Sequence, residues 1–271
     1  MSALTGKAQA FLELHVPGQP LLMPNPWDVG SAKLLASLGF QALATTSSGF
    51  AATLGRRDGA AGRNEVLAHA AAVVAAVDVP VSADLENGFA EDPEGVYATV
   101  RAAAAAGLAG CSIEDYSGSE RGGVYDRALA VERITAAVEA AVIEPGIVLT
   151  ARAENLIRGN PDLDDTIARL HAYREAGAQV LYAPGLRSIE DVWRVVGAVG
   201  APVNVLALPG LPAVAKLAEA GVARISVGGA FSHVAFGALT GAARELLDTG
   251  TYGFMDLAAQ GRKQEAAAFG A

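Results

Sequence analysis

Two acidic residues stand at the end of an apolar, strand-like segment, PVSADLENGF at residues 80–89. Side chains alternate between the two faces of an extended chain, so Ser82, Asp84 and Glu86 are predicted to share one face. Two carboxylates on one face of so apolar a strand repel each other and lose hydration. The pattern therefore predicts a positive charge opposite them.

Two later segments repeat this arrangement of polar residues. CSIEDY places Ser112 and Glu114 on one face, and LTARAEN does the same with Thr150, Arg152 and Glu154. If the three segments are neighbouring strands, four carboxylates meet one certain cation, Arg152, and cannot all stay ionised without help. A hard divalent cation held through carboxylate and water oxygens is the simplest compensation, and Mg²⁺ or Mn²⁺ is predicted.

The elements that must position these residues alternate regularly along the chain. Helical patterns separate eight apolar, β-rich segments: 21–24, 42–46, 80–86, 111–115, 147–154, 180–183, 203–208 and 225–228. Such alternation is typical of an α/β protein with a (β/α)8 TIM barrel, whose chemistry lies at the carboxyl ends of its strands. A doubly wound open sheet is the alternative, but its Gly-x-Gly-x-x-Gly turn is absent.

One domain over residues 1–271 is predicted to hold all of these elements. The N-terminal region 1–19 contains a helix at 5–16, the barrel occupies 20–250, and a tail follows at 251–271. The strand ends that face the barrel mouth include Thr46, a candidate for substrate binding.

Composition narrows the class of protein further. The chain has 271 residues, a formal net charge of −9 and a single cysteine, Cys111. This charge argues against a nucleic-acid surface, and one cysteine excludes an internal disulfide. No apolar run reaches the roughly 18 residues of a membrane span, and the N-terminus lacks a signal-peptide core. We therefore expect a cytoplasmic protein with neither a membrane nor a nucleic-acid partner.

Each of these pieces also has a purely structural interpretation. An Asp-x-Glu can cap a helix, Arg152 and Glu154 can form a structural ion pair, and Ser47-Ser48-Gly49 can be a turn. Cys111 is interpreted as a core residue. The coincidence of acids on three consecutive strands favours a functional site.

The ordered segments MPNPWDVGSAKLLASLGFQALATTSSGFA, VSADLENGF, GCSIEDY and LTARAEN resemble the phosphoenolpyruvate mutase/isocitrate lyase superfamily over about residues 21–247. The resemblance implies a (β/α)8 barrel that binds 2-oxo-acid or enolate fragments on Mg²⁺. For substrate binding it implies that Ser48, Gly49 and Phe50 hold the 2-oxo acid, that Arg152 binds the substrate carboxylate and that Asn204 holds the distal part of the substrate. For the metal site it implies the acids Asp84, Glu86 and Glu114. It also implies that Asp58 is the acid of the loop that follows Phe50.

The loop after the fourth strand departs from the pattern of the family. YSGSERGGVYDR lacks both the Lys-Cys-Gly-His signature of the isocitrate and methylisocitrate lyases and the Lys-Thr-Asn stretch of the phosphonate mutases. Tyr182 and Ala183 stand where several phosphonate-processing members have His. The missing proton donor is sought among Tyr116, Glu120, Tyr125 and His233.

The predicted function is a Mg²⁺-dependent lyase that cleaves a C–C bond of a small 2-oxo acid or 2-hydroxycarboxylate through a metal-stabilised enolate. Its substrate is a small 2-oxo acid or dicarboxylate, and its catalytic candidates are Arg152, Glu114, Asp58 and Tyr116. Three alternatives stay open: an enzyme of C–P bonds, a phosphate-binding barrel enzyme, and a non-catalytic 2-oxo-acid binder.

The tail indicates an assembly of several subunits. Its apolar residues, Tyr252, Phe254, Met255, Leu257 and Phe269, have no place in a complete barrel. In the resembled superfamily the last helices reach a neighbouring subunit. We therefore expect a homotetramer in which the chain from about Ser232 onward packs on a partner barrel.

Overall fold

The computed structural model describes residue 4 and residues 6–118 and 123–270. Eight parallel strands form one sheet in the order β1-β8-β7-β6-β5-β4-β3-β2. They are β1 (Leu21–Met23), β2 (Leu43–Ala44), β3 (Val81–Asp84), β4 (Gly110–Glu114), β5 (Val148–Arg152), β6 (Val180–Tyr182), β7 (Val203–Leu206) and β8 (Arg224–Ser226). The Ala44 N–H donates to the Pro24 carbonyl at 3.1 Å between β1 and β2. The result is a nearly closed (β/α)8 barrel, which confirms the predicted fold and all eight strands.

Helices surround the barrel, and several begin at a capping Asp or Ser side chain. They are α1 (Gly6–Glu13), α2 (Val29–Ser37), α3 (Ser47–Thr53), α4 (Arg63–Ala76), α5 (Pro93–Ala105), α6 (Arg127–Ala141), α7 (Leu163–Glu175), α8 (Ile189–Val199), α9 (Val214–Glu219), α10 (Ala230–Thr249) and α11 (Met255–Phe269). Asp92 accepts a hydrogen bond from the Gly95 N–H at 2.8 Å at the start of α5, and Ser188 accepts one from the Asp191 N–H at 3.1 Å at the start of α8. These side chains satisfy backbone donors that the first helical turn leaves open.

Helix α1 closes the amino-terminal end of the barrel. Its fully buried Phe11 packs with barrel residues that include Leu21, Val148 and Val180. Gly110 permits this contact, because a Cβ at that position would lie 2.7 Å from Phe11 Cε1. The barrel therefore has an apolar floor, and its polar interior residues lie toward the opposite end.

Helices α10 and α11 differ in how they meet the barrel. Helix α11 packs against α2, where the Phe269 ring lies beside Gly30. In the 20-residue helix α10 only Ser232 is buried, whereas Leu239 is 66% exposed and Leu247 is 83% exposed. The outward-facing Leu22 of β1 is also 43% exposed, so apolar surface is open both on the barrel and on α10.

We predict that α10 packs on the barrel of a partner subunit in a homotetramer. Light scattering should give about four times the 27.5 kDa mass of one chain. The double variant L239E/L247E should dissociate, because each charge would have to be buried in the interface. The control V142E alters an apolar residue that is 39% exposed on the other side of the barrel, and should keep the wild-type mass. A monomeric wild-type protein at micromolar concentration would contradict the assembly.

Among the described residues, no helix has both the length and the apolar character needed to cross a membrane.

Candidate active site

Two cavities lie one above the other at the carboxyl ends of the strands. The upper cavity, of about 260 Å³, is bounded among the described residues by Ser47, Asp58, Glu86, Asn87, Glu114, Tyr116, Arg152 and Arg158, together with Gly59 and Gly118. The lower cavity, of about 50 Å³, reaches into the barrel and is lined by residues that include Thr46, Asp84, Arg152, Tyr182, Asn204 and Arg224. Arg152 borders both, so its guanidinium is the group that the two cavities share.

Arg152 stands at the end of β5 among three carboxylates. Its Nη1 lies 3.4 Å from Glu114 Oε2 and 3.9 Å from Asp84 Oδ2, and its Nε donates to Glu154 Oε1. Burial works against the charged guanidinium, but Glu114 and Glu154 outweigh it and hold the pKa of Arg152 well above its ordinary value. Arg152 is thus a permanent cation, as the sequence predicted from its position.

A second layer of hydrogen bonds fixes the orientation of Arg152. Glu154 is fully buried and accepts from both Arg152 Nε and Arg158 Nε, the latter at 2.9 Å. The Glu154 N–H donates to Asp115 Oδ1 at 2.8 Å, and Asp115 in turn accepts from the Tyr173 hydroxyl at 2.6 Å. This chain of contacts runs from α7 to the site, so the guanidinium has little freedom to turn.

Glu114 is a buried acid whose surroundings disfavour its charged form. Burial raises the pKa of its carboxyl well above the ordinary value, against the opposing effect of Arg152. Glu154 and Asp84 add further like charge. A carboxyl with these neighbours can release its proton when more positive charge enters the cavity.

Glu86 departs from the strand on which it was predicted. Strand β3 ends at Asp84, and Glu86 has a φ of 50° in the turn that follows, where its N–H donates to Asp84 Oδ1 at 3.2 Å. The prediction that Ser82, Asp84 and Glu86 share one strand face is therefore wrong for Glu86. The early turn lets the Gly88 N–H donate to the Leu85 carbonyl at 2.8 Å, and it directs Glu86 to the upper cavity.

The environment of Glu86 penalises its charge. Burial, and then the carboxylates of Asp84 and Asp58, raise its pKa from 4.5 to about 8. Its Oε1 is buried without a hydrogen-bond partner among the described residues. A left-handed backbone and an unsatisfied oxygen are both costs that a protein retains at functional sites.

These properties predict the pH dependence of stability in the presence of chelator. Between pH 4.5 and about 8 folded Glu86 keeps a proton that the unfolded chain releases, so the free energy of unfolding should fall as the pH rises through this range. Between pH 5.5 and 8.5, the free energy of unfolding of Glu86→Gln should fall by about 2–3 kcal/mol less than that of the wild type. Urea unfolding at both pH values measures this, with the exposed Glu139→Gln as control. Equal pH dependence in wild type and Glu86→Gln would contradict the assignment.

The predicted metal-site acids do not form a ready-made cluster. Among the residues that the structure describes, no group of three or more His, Cys, Asp or Glu side chains is arranged to hold a metal ion. The guanidinium of Arg152 lies between Asp84 and Glu114. The donor chemistry nevertheless fits Mg²⁺ or Mn²⁺, because the cavity offers hard carboxylate oxygens and an unsatisfied Glu86 oxygen. The assignment of Asp84, Glu86 and Glu114 to a metal remains a prediction.

The predicted substrate-binding turn forms the first turn of α3. Thr46 caps the helix through a 3.5 Å contact from the Gly49 N–H, and the Phe50 N–H donates to the Thr46 carbonyl at 3.0 Å. Ser48 Oγ lies 3.1 Å from Thr46 Oγ1. Glycine is required at position 49, since a Cβ would lie 2.6 Å from Thr46 Cγ2. The Phe50 ring stacks on the His69 ring, and the two ring centroids are 4.1 Å apart.

Other predicted residues lie at different distances from this centre. Asp58 and Tyr116 border the upper cavity, and Asn204 borders the lower one. Tyr125 is buried and accepts from Asn87 Nδ2 at 3.1 Å, and the ring of exposed His233 lies beside Gly229. Glu120 lies outside the described residues. Tyr116 is therefore the proton-donor candidate that the described residues place at the upper cavity.

Three residues of the cavities and their support were absent from the sequence-based candidates. Arg158 stacks over the Tyr116 ring, with its Cζ 3.8 Å from the centroid. Asp115 anchors Glu154, and Arg224 borders the lower cavity. Of these three, Arg224 could have been predicted from the sequence. It alternates with Ser226 in an otherwise apolar strand, which places both side chains on one face.

A barrel of this kind, with acids and arginines at the carboxyl ends of its strands, defines an enzyme site. The family model described as phosphoenolpyruvate phosphomutase matches residues 11–247. The chain therefore belongs to the phosphoenolpyruvate mutase/isocitrate lyase superfamily, whose members are lyases and mutases. This confirms the resemblance stated above and the prediction that the chain is an enzyme.

Three similar proteins illustrate the range of the superfamily. A structure from Burkholderia cenocepacia J2315, provisionally assigned as a lyase/mutase, is 51% identical with a TM-score of 0.92 and covers 95% of this chain and 94% of its own. The 2-methylisocitrate lyase of Escherichia coli K12 is 30% identical over 71% of this chain and 70% of that protein. A structure of oxaloacetate acetylhydrolase with the product oxalate is 27% identical, with a TM-score of 0.83 over 91% and 89% of the two chains.

Proposed function

We propose that the protein is a divalent-metal-dependent lyase that cleaves a C–C bond in a small 2-oxo acid or 2-hydroxycarboxylate. The observation that carries this proposal is the fixed Arg152 cation, held by Glu154 and shared by two cavities of about 260 Å³ and 50 Å³. The relatives support the reaction class, since two are named for reactions of small carboxylates.

Arg152 would bind the carboxylate of the substrate and hold it at the carboxyl ends of the strands. Its Nε is engaged by Glu154, so the remaining N–H groups face the acids and the cavities. Ser48, at the start of α3, would orient a second substrate oxygen through its hydroxyl. Together these contacts fix the carbonyl group next to the bond that breaks.

In the chemical step, the bond between the carbon next to the carbonyl group and its carboxylate breaks, and the carboxylate leaves as CO₂. The electron pair of this bond forms the C=C bond of an enolate, while the π electrons of the carbonyl group move to its oxygen. The positive charge of Arg152 stabilises the negative charge that develops there. Superfamily members typically depend on a divalent metal. When bound by Asp84, Glu86 and Glu114, this ion would polarise the carbonyl oxygen.

Tyr116 would return a proton to the carbon of the enolate. It borders the upper cavity, and the Arg158 guanidinium holds its ring in place from one face. Its backbone also pairs with Val124 in an isolated antiparallel bridge at the base of the loop. A hydroxyl fixed in this way can deliver its proton to one face of the fragment.

The phosphate-binding alternative is less favoured by the backbone after β8. The N–H groups of Val227 and Gly228 both donate to Asn25 Oδ1 at 2.9 Å, so these amides already have an acceptor. The C–P alternative is weakened by Tyr182, which lies where several phosphonate-processing members have His. Its ring stands 5.1 Å from the Arg152 guanidinium.

Calorimetric titration of oxaloacetate, 2-oxoglutarate and oxalate, with and without Mg²⁺, tests the proposal. Binders are then incubated with the enzyme and their products identified by NMR. Tyr116→Phe should keep binding but lower the rate by about 10²- to 10⁴-fold, as expected for a lost general acid. Binding without turnover in the wild type would support the non-catalytic alternative. If phosphate esters bound to the protein and none of these carboxylates did, the proposed substrate class would be refuted.

A further inference from the structure

Arg224 carries a charge inside the barrel, between the apolar floor and the two cavities. It lies on β8 with 2% of its surface exposed. Its Nη1 contacts His15 Nε2 at 3.1 Å, and its Nη2 donates to Thr150 Oγ1 at 3.2 Å. Its Nε is buried and has no hydrogen-bond partner among the described residues. Within the described part of the chain, two of the five N–H donors of this guanidinium therefore have an acceptor.

The partners of Arg224 do not neutralise it. Burial, and then the charge of Arg224, lower the pKa of His15 to about 3, so this imidazole is neutral. Burial lowers the pKa of Arg224 itself to about 10, which still leaves it charged at neutral pH. Among the described residues no carboxylate lies within 4.0 Å of Arg224, whereas Arg152 and Arg169 each contact at least one. An isolated buried charge of this kind is costly and calls for a counter-ion.

The lower cavity offers a place for that counter-ion. It has a volume of about 50 Å³, and its lining includes Arg224, Asn204 and Ser226 together with Arg152 and the acid Asp84. Asp84 is paired with Arg152, whose Nη1 lies 3.9 Å from Asp84 Oδ2. Asn204 pairs with Arg224 in the register of β7 and β8, and its amide nitrogen donates to Ser226 Oγ at 3.0 Å. Its Oδ1 is buried without a partner among the described residues. Because the Ser226 hydroxyl can also donate, this amide can turn over and present N–H to the cavity.

We infer that the lower cavity binds a small anion, with Arg224 as its counter-charge and Asn204 as its hydrogen-bond partner. The anion is either a carboxylate of the substrate or a free inorganic anion such as chloride. The inference requires no particular reaction, so it stands or falls independently of the proposed lyase activity.

Thermal unfolding of the full-length protein in chloride or formate tests this site. Ionic strength is kept constant with HEPES, a bulky sulfonate outside the proposed substrate class. The wild type should be stabilised, and Arg224→Met should lose this response, with an affinity about 10- to 100-fold weaker. Arg101→Met is the matched control, because Arg101 donates to the carbonyls of Ala140 and Ile143 outside the barrel. Stabilisation by both anions identifies a site for any small anion, and stabilisation by formate alone identifies a site for a carboxylate.

A second variant keeps the test decisive if Arg224→Met does not fold. Asn204→Asp places a carboxylate beside Arg224 at almost unchanged volume. It should raise the melting temperature by about 2–4 °C in HEPES and abolish the response to added anions. A wild-type anion response in either variant would overturn the inference, as would an unchanged or lower melting temperature of Asn204→Asp. A wild-type protein that shows the anion response but no turnover would count against the proposed function and leave the anion site in place.

Discussion

Substitution of Arg152 by alanine should weaken the binding of a small 2-oxo dicarboxylate by roughly 30- to 1,000-fold. The physical reason is the loss of a charge-assisted, two-point contact with a carboxylate, worth about 2–4 kcal/mol. Arg158 does not compensate, because it already donates to Glu154 and is stacked over Tyr116. Turnover should fall at least as far, since the same cation stabilises the developing negative charge.

Isothermal titration of oxalate or oxaloacetate into the variant measures this effect. Arg101→Ala is the matched control, because it removes a guanidinium that serves α6 and the loop after it rather than the cavities. Circular dichroism establishes that both variants are folded. Intact dicarboxylate binding by folded Arg152→Ala would place the substrate elsewhere.

Removal of divalent cations should reduce dicarboxylate affinity by at least about 100-fold. Five acids surround the upper cavity and its support, Asp58, Asp84, Glu86, Glu114 and Glu154, and burial followed by neighbouring carboxylates raises the pKa values of Glu86 and Glu114. A divalent cation held by these acids would favour their ionised forms and would supply positive charge to the anionic ligand. A single hydrogen bond to a charged group contributes about 3 kcal/mol or less, so such a bond does not replace the ion. Mg²⁺ or Mn²⁺ should restore the affinity.

Titration of the ligand in EDTA and again after addition of excess Mg²⁺ measures the dependence. Asp84→Asn should lower the apparent Mg²⁺ affinity, whereas Asp78→Asn, at an exposed position before β3, should leave it unchanged. Ligand affinity that is insensitive to EDTA would exclude the metal site at Asp84, Glu86 and Glu114.

The barrel could be predicted from sequence because its determinants are local. Each strand is a short apolar run, and Asp92 and Ser188 are helix caps within the segments that they cap. The ends of the strands were less certain, since they depend on turns. Glu86 left β3 because the turn at Gly88 begins earlier than the apolar pattern suggests.

The site was predictable only where it followed the strand pattern. Arg152 and Glu114 end their strands on the inner face, and the structure places them 3.4 Å apart. Arg158 lies in an irregular segment after β5, and its contact with Tyr116 joins loops that follow different strands. The contact of Arg224 with His15 joins residues 209 positions apart. No periodic pattern records such long-range pairs.

Carbon-13 NMR of uniformly labelled oxaloacetate, incubated with the enzyme and Mg²⁺, tests the central claim most directly. Cleavage of the C3–C4 bond should exceed the spontaneous rate and should be seen as pyruvate with carbonate. The same reaction with Arg152→Ala should proceed at the spontaneous rate. Accelerated cleavage by Arg152→Ala, or a wild-type enzyme that binds oxaloacetate and leaves every C–C bond intact, would contradict the account.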